Sequence, residues 1–569
     1  MNAPTLSCAE PLGQMLLRRG HVNEDQLRIA LREQQQIHAP IGKLLVALGF
    51  ISEATLRHAL AEMLGRPCVD LEHTAIDADA LRFVPHELAK RHRLLPLSFD
   101  ATAKRLTLAI ADVDDIVALD RVRVLLDHDV SLDLQLASET AIDHAIDQNY
   151  GHDLSIDGLL HEIDTGEVDA NSLRFSVEDY RQPVVRLIDA VLGDAVKQRA
   201  SDIHFEPEAN FLRIRYRIDG TLRQIRALHH SHWPAMAVRL KVLAALDIAE
   251  TRAPQDGRFS LSIGARPIDF RVAVQPTLHG ENIVLRVLDR QKGIVTLDEL
   301  GLHSEQRAQL EAMINRPEGL ILLTGPTGSG KTTTLYSLLR QINSERVNIM
   351  TLEDPVEYPM AMVRQTSVGD ASRLDFANGI RSLMRQDPDV ILVGEIRDTD
   401  TAEMALRAAM TGHLVLTTLH SNSAIGAIPR LLDIGIRPDI LAGNIVGIVA
   451  QRLLRRLCPH CRAPYVATAH ERQRLALPDD APAPTLHRAT GCAQCGQHGY
   501  RGRLAIMEIL PLNDTLDDLV AQRASTGDLR RTALAQGFRS LADDGRRRVL
   551  DGSTSLEELA RVVDLGARR

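Results

Sequence analysis

Aromatic residues are scarce in this chain, 3% of 569 positions with a single Trp, so its cores must be built from Leu, Ile, Val and Ala. No stretch approaches the roughly 18 uncharged apolar residues of a membrane-spanning helix, and MNAPTLSCAEPLGQ lacks the basic-then-apolar order of a secretory leader. The chain is therefore expected in the cytoplasm. Strong charge of one sign is missing too: a net charge of −9 gives no general reason to hold nucleic acid, and none is expected as a partner. What is present, 44% hydrophobic and 25% charged residues, reads as globular rather than disordered by default, and 569 residues are too many for one core.

The chain opens on a repeat. PLGQMLLRRGHVNEDQLRIALREQ from Pro11 overlays PIGKLLVALGFISEATLRHALAEM from Pro40, matching Gly13 with Gly42, Gly20 with Gly49 and Leu27 with Leu56. Residues 1–66 are read as two stacked copies of one helical unit. Asn23 or Ser52 caps a helix whose Leu27, Ala30 and Leu31, or Leu56, Ala59 and Leu60, share a face. In 67–150, LLPLSFD, RLTLAIAD and VSLDLQLAS read as strands and ALDRVRVLL as a helix, giving a small α/β module. Residues 151–182 hold eight acidic residues against two arginines, a solvated linker.

From 183 to 295 an amphipathic helix precedes alternating strands with turn signals at Asp219-Gly220 and Ile263-Gly264, an α+β domain ending near Gly293. Arg213, Arg215 and Arg217 alternate there with Leu212, Ile214 and Tyr216, so their guanidinium groups share one strand face. Arg271 and Arg286 stand in mostly apolar strands, where a lone cation is costly, so each needs a phosphate or carboxylate partner. Residues 296–569 alternate buried strands with helices, the pattern of a mostly parallel sheet covered on both faces.

Within that last domain, Gly325, Pro326, Thr327, Gly328, Ser329, Gly330, Lys331 and Thr332 fit the phosphate-loop template between a strand and a helix, with Thr333 next. Glycines let backbone N–H groups face an anion, Lys331 reaches terminal phosphates of ATP, and the Thr332 hydroxyl binds Mg²⁺. Hydrolysis also needs a carboxylate for water or metal. Glu353, beside Asp354, and Glu395 end strands on the side that opens to ligand, and either can serve. His413 and His420 flank the next strand and stay unassigned on chemistry alone.

Cys458, Cys461, Cys492 and Cys495 form two C-x2-C pairs, the arrangement of a closed, structural four-thiolate Zn²⁺ site at 455–500; His460 is the lesser alternative ligand. Cys8 and Cys68 have no partner pattern.

Taken as a set, GPTGSGKTTTLY, LEDPVEY, DPDVILVGEIRD and TGHLVLTTLHSN, with RASDIHFEP, RYRIDG and APQDGR before them, resemble the motifs of the secretion ATPases that power type II secretion and type IV pilus assembly. The resemblance implies a RecA-like P-loop core, a ring-shaped homo-hexamer and an inner-membrane platform as partner. It assigns Lys331 and Thr332 to phosphate and Mg²⁺, Glu353 and Glu395 to water and metal, and His420 to sensing the γ-phosphate. Arg271 and Arg286 take the family's arginine positions in the smaller domain that closes over nucleotide, with Arg381, Arg385 and Arg397 as further cations.

The alternatives are a retraction or DNA-export motor, and a nucleotide-gated scaffold without turnover. The repeat resembles the paired cyclic di-GMP motif of some N-terminal domains of this family, which opens each copy with Arg-Leu-Gly and closes it with Gln. Here the openings are Pro11-Leu12-Gly13 and Pro40-Ile41-Gly42 and the closings Gln34 and Met63, so both copies lack the arginine anchor. Docking on the platform is the preferred role, with cyclic di-GMP as the alternative ligand.

Overall fold

The computed structural model describes residues 11–37, 39–64, 183–263, 266–289, 294–369, 374–478 and 480–566. Between 67 and 163 it describes all but 70, 72, 73, 75, 78, 79, 101, 102, 112–114, 127–129, 150–158, 161 and 162. Cys8, Gly264, Gly293 and almost all of the acidic stretch 151–182 lie outside the described residues. The chain divides into two compact units, 1–193 with 261–267 and 194–260 with 268–569.

In the first unit the sequence repeat is a structural one. Helices Leu12–Arg18 and Glu24–Ile37 form one copy, Ile41–Ala47 and Glu53–Leu64 the other. Pro11 and Pro40 precede their helices with φ/ψ of −58/138° and −56/137°, and Gly20 and Gly49 close them at φ of 71 and 74°. Asn23 Oδ1 accepts from the Gln26 N–H at 2.8 Å and Ser52 Oγ from the Thr55 N–H at 3.1 Å, so both predicted caps form. A Cβ on Gly13 would stand 2.7 Å from Leu27 Cδ1, and one on Gly42 2.6 Å from Leu56 Cδ1. Glycine is required where the two helices of each copy touch. The predicted apolar face needs one correction: Ala30 and Ala59 are buried, but Leu31 is 47% exposed, because the close approach is made at the alanine one position earlier.

Beyond the repeat, β1 (Leu94–Asp100) pairs antiparallel with β2 (Arg105–Ile110), which pairs parallel with β3 (Ser131–Leu136). Leu94, Leu106, Leu108 and Ile110 are fully buried beneath helices Ile116–Leu125 and Glu139–Asn149.

The second unit holds two sheets, save residues 261–267, which group with the first unit. In the first sheet are β4 (Ala200–Pro207), β5 (Phe211–Ile218), β6 (Thr221–His229), β7 (Gln255–Ile263), β8 (Arg266–Thr277) and β9 (Gly280–Asp289), in spatial order β6-β5-β4-β9-β8-β7. Asp219 and Gly220, both at positive φ, make the two-residue turn between β5 and β6. Leu212, Ile214 and Tyr216 are buried, while Arg213, Arg215 and Arg217 on the other face pair with Glu208, Glu206 and Asp202 at 2.8, 2.5 and 3.4 Å. The arginine row is thus matched by carboxylates of its own sheet.

The second sheet comprises β10 (Gly319–Thr324), β11 (Ile349–Glu353), β12 (Val363–Ser367), β13 (Val390–Val393), β14 (Leu414–Leu419) and β15 (Ile445–Leu457), with β16 (Ala463–Val466) and β17 (Thr485–Arg488) pairing apart and β18 (Tyr500–Pro511) returning to the edge. The order is β12-β11-β13-β14-β10-β15-β18, parallel except for β18. Every residue of β10, β13 and β14 is buried, which is why these strands read as near-continuous apolar runs broken only by threonines. Parallel pairing puts the C-terminal ends of β11, β13, β14 and β10, four neighbours, along one edge of the sheet.

Candidate nucleotide site and metal centre

At that edge the chain leaves β10 and turns through Gly325–Gly330 into helix Lys331–Ile342. Gly325, Gly328 and Gly330 have φ of 151, 78 and 88°, conformations open to glycine. A Cβ on Gly325 would lie 2.6 Å from the Gln451 carbonyl oxygen, so no larger residue fits. The loop ends on the positive end of a helix, where N–H groups are free for an anion. Thr327, Gly328 and Thr332 are exposed at its mouth, and Pro326 and Thr333 flank them.

Lys331 Nζ donates to the carbonyl oxygens of Gly325 at 2.7 Å and Pro326 at 3.2 Å. Burial pushes its pKa down, the Glu395 carboxylate opposes that, and Arg452 adds to it. The Ser329 hydroxyl is buried without a hydrogen-bond partner among the described residues. A folded-back ammonium and an unsatisfied hydroxyl are what a phosphate chain would engage, so the loop fits the group.

Glu395 follows β13 and His420 follows β14, and they meet: His420 Nε2 lies 3.3 Å from Glu395 Oε2. Arg397 donates from Nε to Glu395 Oε1 at 2.6 Å and from Nη2 to Asp354 Oδ2 at 3.2 Å. These hydrogen bonds, Glu395 foremost, raise the Arg397 pKa. Lys331, Glu395, Arg397, His420 and Asp354 therefore share the sheet edge. His413 sits at the opposite end of β14, its Nδ1 2.9 Å from the Ala408 carbonyl oxygen, and closes the helix before it. Arg381 donates to Asn378 on its own helix at 2.8 Å.

Glu353 is placed differently from Glu395. Its carboxylate is 5% exposed, accepting from Thr351 Oγ1 at 2.6 Å, Gln365 Nε2 at 3.2 Å and the Tyr336 hydroxyl. Three donors from β11, β12 and the helix after the loop hold it inside the sheet edge. Tyr336 and Gln365 escaped sequence reasoning, because their meeting depends on strand order; the one local signal is Tyr336 within GKTTTLY.

Arg271 of β8 donates to Glu357 at 2.7 and 3.2 Å, and Arg286 Nε of β9 lies 3.4 Å from Asp202 Oδ1. Each has the carboxylate partner its apolar strand demanded. Both, with Asp256, Arg258 and Pro355, line a cleft of about 590 Å³. Glu357 was legible within LEDPVEY only as a further acid. Gln451 and Arg452 were also passed over, although two polar residues interrupt the apolar run of β15.

The ligand atoms of Cys458, Cys461, Cys492 and Cys495 all lie within 4.8 Å of one another. Cys458 to Cys492 is 3.9 Å, and Cys461 to Cys495 and Cys492 to Cys495 are each 3.8 Å. Four thiolates about 2.3 Å from one tetrahedral Zn²⁺ stand about 3.8 Å apart, so the residues fit that ion. Burial raises the Cys495 thiol, but the N–H groups of Cys492 and Gly499 donating to its Sγ outweigh that and lower it to about 6. His460 is exposed outside the cluster.

A family model described as Type II/IV secretion system protein matches residues 177–561, and one described as MshEN domain matches 64–156. Type II secretion system protein E of Pseudomonas aeruginosa is 43% identical over 88% of this chain and 99% of its own length. Type IV pilus assembly ATPase PilB of Myxococcus xanthus is 40% identical over 96% of this chain and 98% of its own. Among solved structures, the ATPase DotB of Legionella pneumophila aligns with a TM-score of 0.50 at 20% identity, covering 66% of this chain and 94% of that one, a likeness of fold. With its phosphate loop, its sheet-edge carboxylates and these full-length relatives, the chain belongs to the type II/IV secretion system protein family and is one of its ATPases.

Proposed function

We propose that the chain is a Mg²⁺-dependent motor, working as a homo-hexamer, that couples ATP hydrolysis to assembly of a pseudopilus or pilus at the inner membrane. The observation that carries this reading is the convergence of Lys331, Glu395, Arg397 and His420 at the C-terminal ends of adjacent strands. Lys331 and the loop N–H groups bind the phosphates, and Thr332 would hold Mg²⁺, which supplies charge neutralisation when bound. Glu395 orients water, His420 reads the terminal phosphate through its contact with Glu395, and Glu353 supports the same edge from beneath. Arg271 and Arg286 supply positive charge from the smaller sheet when the cleft they line closes on nucleotide.

The cysteine quartet takes one structural Zn²⁺, which metal analysis would read as about one ion per chain. Among the described residues no helix is long and apolar enough to cross a membrane. In this reading platform proteins hold the motor at the membrane, and the module at 1–150 makes that contact.

Phosphate release tests the motor reading against a scaffold that binds ATP without turnover. Turnover per chain is expected to rise steeply with protein concentration, because dilution breaks rings. No released phosphate at any concentration would leave the scaffold.

A further inference from the structure

Gln451 lies in the middle of β15, the strand beside β10, and its side chain is 1% exposed. A buried amide must use both ends. Here Nε2 donates to the Ser329 carbonyl oxygen at 2.8 Å, and Oε1 accepts from Thr334 Oγ1 at 2.8 Å. The Ser329 carbonyl can only accept, which fixes Nε2 toward it and leaves Oε1 to the hydroxyl of Thr334, itself fully buried in the helix after the loop. A Cβ on Gly330 would lie 2.8 Å from Gln451 Nε2, and one on Gly325 2.6 Å from the Gln451 carbonyl oxygen. One residue thus lies against the first and last glycines of the loop.

The peptide bond explains why this matters. In a planar trans peptide the carbonyl and the N–H point to opposite sides. Ser329 C=O and Gly330 N–H belong to the same peptide, so drawing the carbonyl toward Gln451 turns the Gly330 N–H the other way. Gly330 is free to rotate, having no Cβ and φ of 88°. A flipped peptide would instead present a carbonyl oxygen to an incoming anion.

We infer that Gln451 is a positioning residue, holding the Ser329–Gly330 peptide so that the loop presents an N–H rather than a C=O to phosphate. The inference rests on the reading of residues 325–332 as the phosphate site. Gln451 touches the loop from behind and does not act on the reacting atoms.

The test measures Kd for ATP by calorimetry and KM by phosphate release on the full chain, with melting temperature alongside. Gln451→Met keeps length and loses both hydrogen bonds; Kd and KM are expected to rise at least tenfold. Thr334→Val removes only the donor that anchors Oε1 and should raise both about threefold, which keeps the test open should the first variant fail to fold. Gln451→Glu sets two acceptors facing each other at neutral pH. Its binding defect relative to wild type should shrink as pH falls, because a protonated carboxyl can donate to Ser329 as the amide does. Melting temperatures that drop while Kd stays within twofold for Gln451→Met and Thr334→Val would overturn the inference. Lys331→Ala in the same assay separates the two levels: if it leaves ATP binding and turnover intact, the phosphate reading itself fails.

Discussion

Arg271 and Glu357 meet end on, the guanidinium donating from Nη2 and Nη1 to the two carboxylate oxygens at 2.7 and 3.2 Å. The pair ties β8 to the turn after β11, with both side chains about a third exposed. A cation that the family resemblance directs to nucleotide is thus held by an acid of its own chain. A partly exposed pair of this kind contributes on the order of 1 kcal/mol or less, so exchanging the carboxylate for a phosphate oxygen costs little. Arg271→Ala is expected to lower turnover about 100-fold or more while ATP still binds, as loss of an arginine that steadies transition-state charge does. Glu357→Gln should stay within about threefold of wild type. Equal losses in both variants, read by phosphate release, would make the pair structural and remove Arg271 from the chemistry.

Glu395 faces Arg397 and His420 and bears on Lys331, whereas Glu353 is enclosed by Tyr336, Thr351 and Gln365. Of the two acids, Glu395 is therefore expected to handle water. Glu395→Gln should bind ATP with a Kd near wild type and turn it over at least 100-fold more slowly, a split between calorimetry and phosphate release. Glu353→Gln keeps one acceptor oxygen but sets an NH₂ in place of the other among its donors, so its main effect should be on melting temperature. A reversed pattern would exchange the two roles.

Much of this site was legible because its signals are local. The phosphate loop is a run of neighbours whose backbone alone defines the cradle, and each C-x2-C pair carries its own bite, so the quartet needed no knowledge of the intervening loop. The fold class was legible in the same way, from near-continuous apolar runs for β10, β13 and β14 and alternation for β5. What stayed hidden depends on strand order: Glu357 reaches Arg271 across 86 positions and Gln451 reaches Ser329 across 122. Leu31 shows the limit of periodicity, since a helical stripe predicts a face but not which residue the partner helix meets.

Glu558 is a fully buried acid that accepts from Arg455 Nη2 at 2.7 Å, Arg455 Nε at 2.9 Å and Arg561 Nη2 at 2.7 Å. Burial pushes its pKa up, but hydrogen bonds from Arg561 and Arg455 outweigh this and hold it below the ordinary 4.5. A carboxylate with a depressed folded pKa contributes stability fully above the unfolded value, and loses it as pH falls through the folded one. Glu558→Gln is expected to cost about 2 to 3 kcal/mol at pH 7, where the variant leaves Arg455, whose side chain is 18% exposed, without its counter-charge. In urea titrations the gap from wild type should narrow only below the ordinary 4.5. A gap that is constant from neutral to acid pH would mean that Glu558 acts through shape rather than charge.

The helical repeat offers the last expectation. Its glycines serve packing in both copies, Gly13 against Leu27 and Gly42 against Leu56, and the one glutamine at a closing position, Gln34, spends its Nε2 on the Ala39 carbonyl oxygen at 3.0 Å. Pro11 and Pro40 stand where a guanidinium would be needed and lack an N–H to donate. The MshEN match, at 64–156, takes in only the last residue of the second copy's helix. Two identical packing contacts, an occupied glutamine and two prolines argue for a docking element. Calorimetry of the full chain with cyclic di-GMP is expected to show no binding at up to about 100 μM ligand, an affinity no better than roughly 5 to 6 kcal/mol. Gly13→Leu or Gly42→Leu, which would force the helices apart, should lower the melting temperature and weaken capture by membrane-platform proteins while ATP turnover persists. Micromolar binding that is lost in Gln34→Ala would reverse this reading and make the repeat a nucleotide sensor.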